Sequence, residues 1–216
     1  MKHWLIAHRG ARCDARENTL AAFEATKKYP LGYCELDIHT TKDNVVICHH
    51  DFDIEGRDIG TSTYKQLKKL DPELTTFDEA IKAIDSKLPL VVHIKAAGTA
   101  KNVVEIIRSH PNWRAASFNI DELKYLIDAG IDGKRIYVFQ RHEPLTHIGR
   151  AVKAGIGGVA LHHGYLSPIW YWRAKRQNLK MYVYSVNSLW EARLIRIFYP
   201  KLGICTDRPD LIQKLD

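Results

Sequence analysis

The chain is poor in cysteine, with four among 216 residues, and no two of them stand in a CxxC or other metal-finger spacing. That excludes a scaffold built on disulfides and a structural zinc finger. Cys34 and Cys48 lie in apolar, strand-like runs, where a thiol packs as a small hydrophobe, so all four are expected to be reduced. No stretch approaches the roughly 18 consecutive apolar residues of a membrane-spanning helix. The opening MKHWLIAHRG has too short an apolar core for a signal peptide, which makes a cytoplasmic location the expectation. A massed basic stripe is missing too. Lys and Arg number 32 against 25 Asp and Glu, a net +7 that reads as scattered along the chain. This balance favours an anionic partner, and nucleic acid is not expected. Internal repeats, low-complexity segments and linkers are absent, so 1–216 reads as one domain.

What the chain does have is alternation. Strand-like runs fall near 3–8, 33–38, 45–49, 88–94, 115–118, 135–140, 158–161, 180–186 and 202–205. Helical patterns lie between most of them: Leu20, Phe23 and Ala25, then Val103, Ile106 and Ile107, then Leu123, Leu126 and Ile127, then Leu189, Ala192 and Ile195. Repeated strand–helix units predict a parallel α/β architecture, and about eight units in this length fit a (β/α)8 TIM barrel near its minimum size. One pair breaks the rule. Residues 38–47 contain Asp43-Asn44 and no helix, which predicts a hairpin inserted after the second strand. A two-residue loop there would set Asp37 opposite His50. Residues 53–71 read as a loop with a short helix, and the loop after His50 as short, with little material for a cap over a site.

The residues that carry chemistry cluster early. His8 and Arg9 end the first strand, where a parallel barrel gathers its reactive groups. Glu35 and Asp37 are two apart on a strand and so share a face. Two adjacent carboxylates repel unless a cation or proton stands between them, and their apolar neighbours mark this strand as buried. His49-His50-Asp51 follows. Two histidines, paired acids and an arginine point to metal-assisted chemistry at phosphorus. Of the eleven histidines, His3, His110, His142 and His147 read as surface or packing, while His162-His163 could border a site.

AHRGA, ENTLAAFEA, CELDIHTTKDNVVICHHD, ASFN, VYSVN and ICTDRPDLI, in that order over 7–212, resemble the glycerophosphodiester phosphodiesterase family. The resemblance implies a metal-dependent barrel that hydrolyses glycerophosphodiesters, small anionic substrates, to glycerol 3-phosphate and an alcohol. It places His8 and His50 as acid–base histidines, with His8 as base and His50 as acid. Arg9 and Lys95 stand as phosphate contacts, Glu35 and Asp37 as metal ligands, and Glu17 as the glutamate of the family's Pro-Glu-Asn-Thr, with Arg16 in place of the proline. The family's third metal carboxylate sits two residues before the lysine, and here that position is His93. Family resemblance implies magnesium or calcium; an imidazole ligand opens manganese, cobalt or zinc. Phe118, Tyr184 and Asn187 are expected as walls of the substrate site. Three other readings stand beside this one, of which the third, a nucleic-acid phosphodiesterase or binder, is suggested by the net charge alone. The first is a degenerate barrel that binds phosphate without turnover. The second is a lysophospholipid or sphingolipid phosphodiesterase that forms a cyclic phosphate, with residues 169–172 as an apolar rim, although core-facing aromatics on a helix explain that run as well.

Overall fold

Side chains alternate along each strand, and this sorts the sequence into an inside and an outside. In Leu31–Thr40, Cys34, Leu36 and Ile38 join the large apolar cluster beneath the helices, while Tyr33 joins a second cluster on the barrel axis. Glu35 and Asp37 alternate with the first set and therefore face the axis with Tyr33. Ile6, Val91, Ala116, Tyr137, Ala160, Tyr182 and Cys205, one from each of seven other strands, complete the inner cluster.

The computed structural model describes residues 2–84, 87–109, 112–133, 136–140 and 144–215. The first elements are β1 (Lys2–Ala7), α1 (Leu20–Ala25), β2 (Leu31–Thr40) and β3 (Val46–Cys48). An insertion follows, with β4 (Asp53–Ile54), β5 (Arg57–Asp58), α2 (Tyr64–Leu70) and β6 (Thr75–Thr76). Helix α3 (Phe77–Ala83) then leads to β7 (Leu90–Ile94), α4 (Ala100–Ser109), β8 (Trp113–Ser117), α5 (Ile120–Asp128), β9 (Ile136–Gln140) and α6 (Pro144–Lys153). Last come β10 (Gly158–His162), α7 (Pro168–Arg176), β11 (Lys180–Tyr184), α8 (Leu189–Phe198), β12 (Gly203–Thr206) and α9 (Pro209–Ile212).

Strand β1 pairs in parallel with both β2 and β12, and the ladder runs from β2 through β7, β8, β9, β10 and β11 to β12. Eight parallel strands thus close into a ring with a helix after each one, the expected (β/α)8 barrel. Two glycines make room for the interior. A Cβ at Gly158 would fall 2.0 Å from the Tyr137 ring, and one at Gly203 would fall 2.0 Å from the Tyr182 ring. Helix starts are fixed locally. Thr19, Ser167 and Ser188 cap α1, α7 and α8, and Thr63 and Thr76 form capping boxes at α2 and α3.

The hairpin forms, but its register differs from expectation. Ile38 pairs with Cys48 and His39 with Ile47, and the His49 amide donates to the Asp37 carbonyl at 3.2 Å. His49, not His50, therefore stands opposite Asp37. The cause is turn length. The Thr41 hydroxyl accepts from the Val45 amide and bonds the Asp43 carboxylate, Asn44 adopts φ 61°, and the chain turns over three residues instead of two. The segment after His50 is also more than a short loop. Ile47, Ile54, Ile59, Leu67 and Leu74 give it an apolar cluster of its own, with α2 as the expected short helix.

Candidate active site

The C-terminal ends of β1, β2, β7, β8, β10 and β11 surround a cavity of about 440 Å³. His8, Arg9, Glu35, His50, His93 and Lys95 line it, with Phe118, Tyr165 and Tyr184 as aromatic walls and Ile6, Val91 and Cys205 below.

His8 follows β1, and its Nδ1 lies 2.6 Å from Oδ1 of Asp207, just past β12. The ring closure that makes β1 and β12 neighbours brings this pair together. Asp207 also accepts from Arg12 (2.7 Å) and from the Asn187 amide (2.8 Å). Burial works against its charge, but these partners hold its carboxyl well below the usual carboxylate range. With Nδ1 anchored, Nε2 of His8 is left for the cavity.

Arg9 sits in the left-handed region (φ 57°), rare for a residue with a Cβ, and this aims its amide at Glu35 Oε2, 2.9 Å away. Gly10 continues the turn at φ 83°, and a Cβ there would meet the Ala22 backbone at 2.9 Å. The Arg9 guanidinium reaches Glu17 (2.7 Å) and Asp37 (3.0 Å). Asn18 binds the same Asp37 oxygen that Arg9 reaches. Its amide donates to Oδ2 at 3.2 Å, and its carbonyl accepts from the Asp37 amide at 3.3 Å.

The β2–β7 register places Glu35 beside Val91 and Asp37 beside His93. His93 Nδ1 lies 2.8 Å from Asp37 and 3.7 Å from Glu35. Lys95 Nζ lies 3.6 Å from Asp37 and 5.8 Å above the Phe118 ring. Burial and the adjacent Asp37 carboxylate push Glu35 up to about 7. Asp37 is as deeply buried, yet His93, Lys95 and Arg9 hold it far below the ordinary range. Burial lowers His93 to about 4 despite Asp37, so its ring is neutral at pH 7. Ligand atoms of Glu35, Asp37 and His93 all lie within 4.8 Å of one another. Glu35 Oε1 is buried and accepts no hydrogen bond. Two carboxylates and a neutral imidazole with such an oxygen turned inward fit a divalent cation.

His50 stands across the cavity mouth with Nδ1 2.7 Å from Asp51. Burial lowers its pKa, outweighing the nearby carboxylates. His39 lies beneath it, with Nε2 3.4 Å from the His50 carbonyl.

Of the residues expected from sequence, His8, His50, Arg9, Lys95, Glu35, His93, Phe118 and Tyr184 meet in the cavity, with Asp37 buried just below. Glu17 and Asn187 do not reach the wall. Glu17 braces Arg9 and Arg12, and Asn187 braces Asp207. Asp207, Asn18 and Arg12 were not singled out. The first two lie inside recognised motifs, ICTDRPDLI and ENTLAAFEA, which was the available signal. His162 lines the cavity, while His163 pairs with Glu191 instead. His3 is exposed; His110 and His142 lie outside the described residues, as does the side chain of His147.

A closed (β/α)8 barrel with carboxylates, histidines and cations converging at the C-terminal ends of its strands has the architecture of a barrel enzyme. More narrowly, residues 8–211 match the glycerophosphoryl diester phosphodiesterase family, and the chain belongs to that family of phosphoric diester hydrolases. YhdW of Bacillus subtilis (strain 168) is 23% identical over 236 residues, covering 98% of this chain and 97% of that one. Human glycerophosphodiester phosphodiesterase 1 is 40% identical over 72 residues, 31% of this chain but 22% of that protein. Among solved structures, a glycerophosphodiester phosphodiesterase from Thermotoga maritima superposes with a TM-score of 0.86 at 23% identity, covering 99% and 98% of the two chains. A phosphodiesterase from Oleispira antarctica, solved with its product sn-glycerol-3-phosphate, gives 0.84 at 20% identity, covering 97% and 94%. Among the described residues, no helix is long and apolar enough to cross a membrane.

Proposed function

We propose that this chain hydrolyses small glycerophosphodiesters to glycerol 3-phosphate and an alcohol, with His8 and His50 moving the protons and Glu35, Asp37 and His93 holding a divalent cation. The observation that carries this reading is the meeting, in one 440 Å³ cavity, of two histidines held in different ways and a buried Glu–His pair. A bound cation would neutralise charge on a non-bridging phosphate oxygen. Arg9 and Lys95 add positive charge on the same side. His8 receives the proton of the attacking hydroxyl at Nε2, and Asp207 stabilises the imidazolium so formed, as the carboxylate does in other histidine-based acyl and phosphoryl transfer sites. His50 delivers a proton to the departing alkoxide. Its ring, neutral in the free protein, gains affinity for that proton when an anionic diester enters the cavity beside it. Phe118 and Tyr184 form the walls against which the alcohol group lies.

The test is turnover of glycerophosphocholine and glycerophosphoethanolamine by metal-stripped protein, with magnesium, calcium, manganese, cobalt and zinc restored one at a time. Activity with at least one metal is expected. His8→Ala and His50→Ala should each lower kcat by about 10²–10⁴-fold with unchanged Tm. Near wild-type turnover in either variant removes that histidine from the mechanism. A preference for manganese, cobalt or zinc that His93→Glu shifts toward magnesium or calcium would make His93 a ligand. Silence with every metal, with activity gained only in His93→Glu, would identify a binding barrel that has lost its chemistry.

A further inference from the structure

The most exposed of the large apolar side chains lie on two consecutive helices. Among the described residues, five large hydrophobics are at least 60% exposed: Ile169 and Trp172 on α7, and Trp190, Ile197 and Phe198 on α8. Both helices carry large apolar side chains on the outer face as well as the inner one. Tyr171 and Ala174 pack inward from α7, and Ala192 and Ile195 from α8, as expected. The outward rows, however, read Ile169–Trp172–Arg173 and Trp190–Arg193–Ile197, where charged and small polar groups would be ordinary. The two helices are neighbours because β10, β11 and β12 are neighbours in the ring, and the Tyr171 and Tyr199 rings meet at 5.0 Å between them.

The same stretch holds the charge. Residues 163–201 contain seven Lys or Arg and one acid, Glu191, which is paired with His163. Most of the chain's net +7 therefore lies in this segment. Two of these cations are held against rings: Lys175 5.6 Å above Tyr171, and Arg196 4.6 Å from Trp4.

We propose that the outer face of α7 and α8 docks on the surface of an anionic lipid bilayer. Tryptophan and isoleucine insert at the headgroup boundary, and lysine and arginine beside them attract anionic headgroups. Neither helix can span, at 9 and 10 residues, so both lie in the plane of the interface. A second copy of the chain is the poorer occupant, since two-fold pairing of this face would set like charges against each other. Tyr165, which lines the cavity, precedes α7 directly, so docking sets the cavity mouth beside the bilayer.

The experiment is co-sedimentation of the full chain with vesicles of phosphatidylcholine alone and of phosphatidylcholine with phosphatidylglycerol. Pelleting is expected with phosphatidylglycerol only, and it should be reversed by salt. The Trp172→Ser/Trp190→Ser double variant should partition about tenfold less, and Arg173→Glu/Arg193→Glu should lose the preference for anionic vesicles. Tm and circular dichroism should stay at wild-type values in both. The proposal is overturned if the wild type stays in the supernatant with anionic vesicles, or if the tryptophan variant pellets equally well. It is also overturned if sedimentation velocity shows a dimer that the tryptophan substitutions abolish, which would give the face to a second copy.

Discussion

Glu35 is 2% exposed, and burial beside Asp37 raises its carboxyl to about 7, while its unfolded counterpart titrates near 4.5. The sign follows from which state releases its proton first. As pH rises from 4.5 toward 7 the unfolded chain ionises before the folded one, so this group removes stability across that window. The Tm of metal-free protein relative to that of Glu35→Gln should therefore fall over that range, the comparison with the variant cancelling the contributions of other groups. A cation must displace the same proton, so divalent-ion affinity should fall about tenfold per unit as pH drops below the Glu35 pKa, measurable by titration calorimetry. His93 acts in the opposite sense: its ring is held down to about 4 when folded but takes up a proton near 6.5 when unfolded, so it adds stability as pH rises from 4 to 6.5. Asp207 invites a different test. Asp207→Asn keeps the shape but loses the charge that holds His8, and kcat should drop about 10²-fold or more with little change in KM. No local sequence reading could pair His8 with Asp207, since 199 residues separate them. Asn18 was closer to hand, inside Glu17-Asn18-Thr19, but its role as a clip on Asp37 depends on its φ of 55° and not on residue type alone.

At the scale of elements, most of the barrel was legible because each buried strand is a short apolar run between helix-period segments. The β2–β3 hairpin shows where such reading stops. A turn one residue longer shifts the register by one, and a shift of one exchanges which histidine faces Asp37. The aromatic run at 169–172 divides in the same way. Tyr171 is core, Trp170 packs partly against it, and Ile169 and Trp172 are in water. The glycines make element-level predictions of opposite sign. Gly203→Ala forces a methyl against the Tyr182 ring and should cost about 1–3 kcal/mol, read as a lower Tm. Gly149→Ala, on α6 with nothing within 4 Å, should gain about 0.5–1 kcal/mol from helix propensity.

The whole molecule is held by ring closure rather than by covalent links, since Cys13, Cys34, Cys48 and Cys205 are all free. Its Tm should not change on adding reductant. Leu5, fully buried where β1 joins β12, lies at the seam, and Leu5→Ala should cost about 2–5 kcal/mol in denaturant unfolding. By itself the sequence determined the strand–helix alternation, the barrel class and the grouping of His8, Arg9, Glu35, Asp37, His93 and Lys95. The alternation, the barrel class and the pairings of His8 with Arg9 and of Glu35 with Asp37 follow from periodicity and short-range spacing, which the chain writes locally, while His93 and Lys95 were placed by the family resemblance. Only the tertiary structure decided that Asp207 holds His8, that Glu17 and Asn187 brace the site from behind, and that Ile169, Trp172, Trp190, Ile197 and Phe198 turn outward beside the basic residues of 163–201. These depend on which strands become neighbours when the ring closes and on which face of each helix turns outward, and both are set by packing over the full length of the chain.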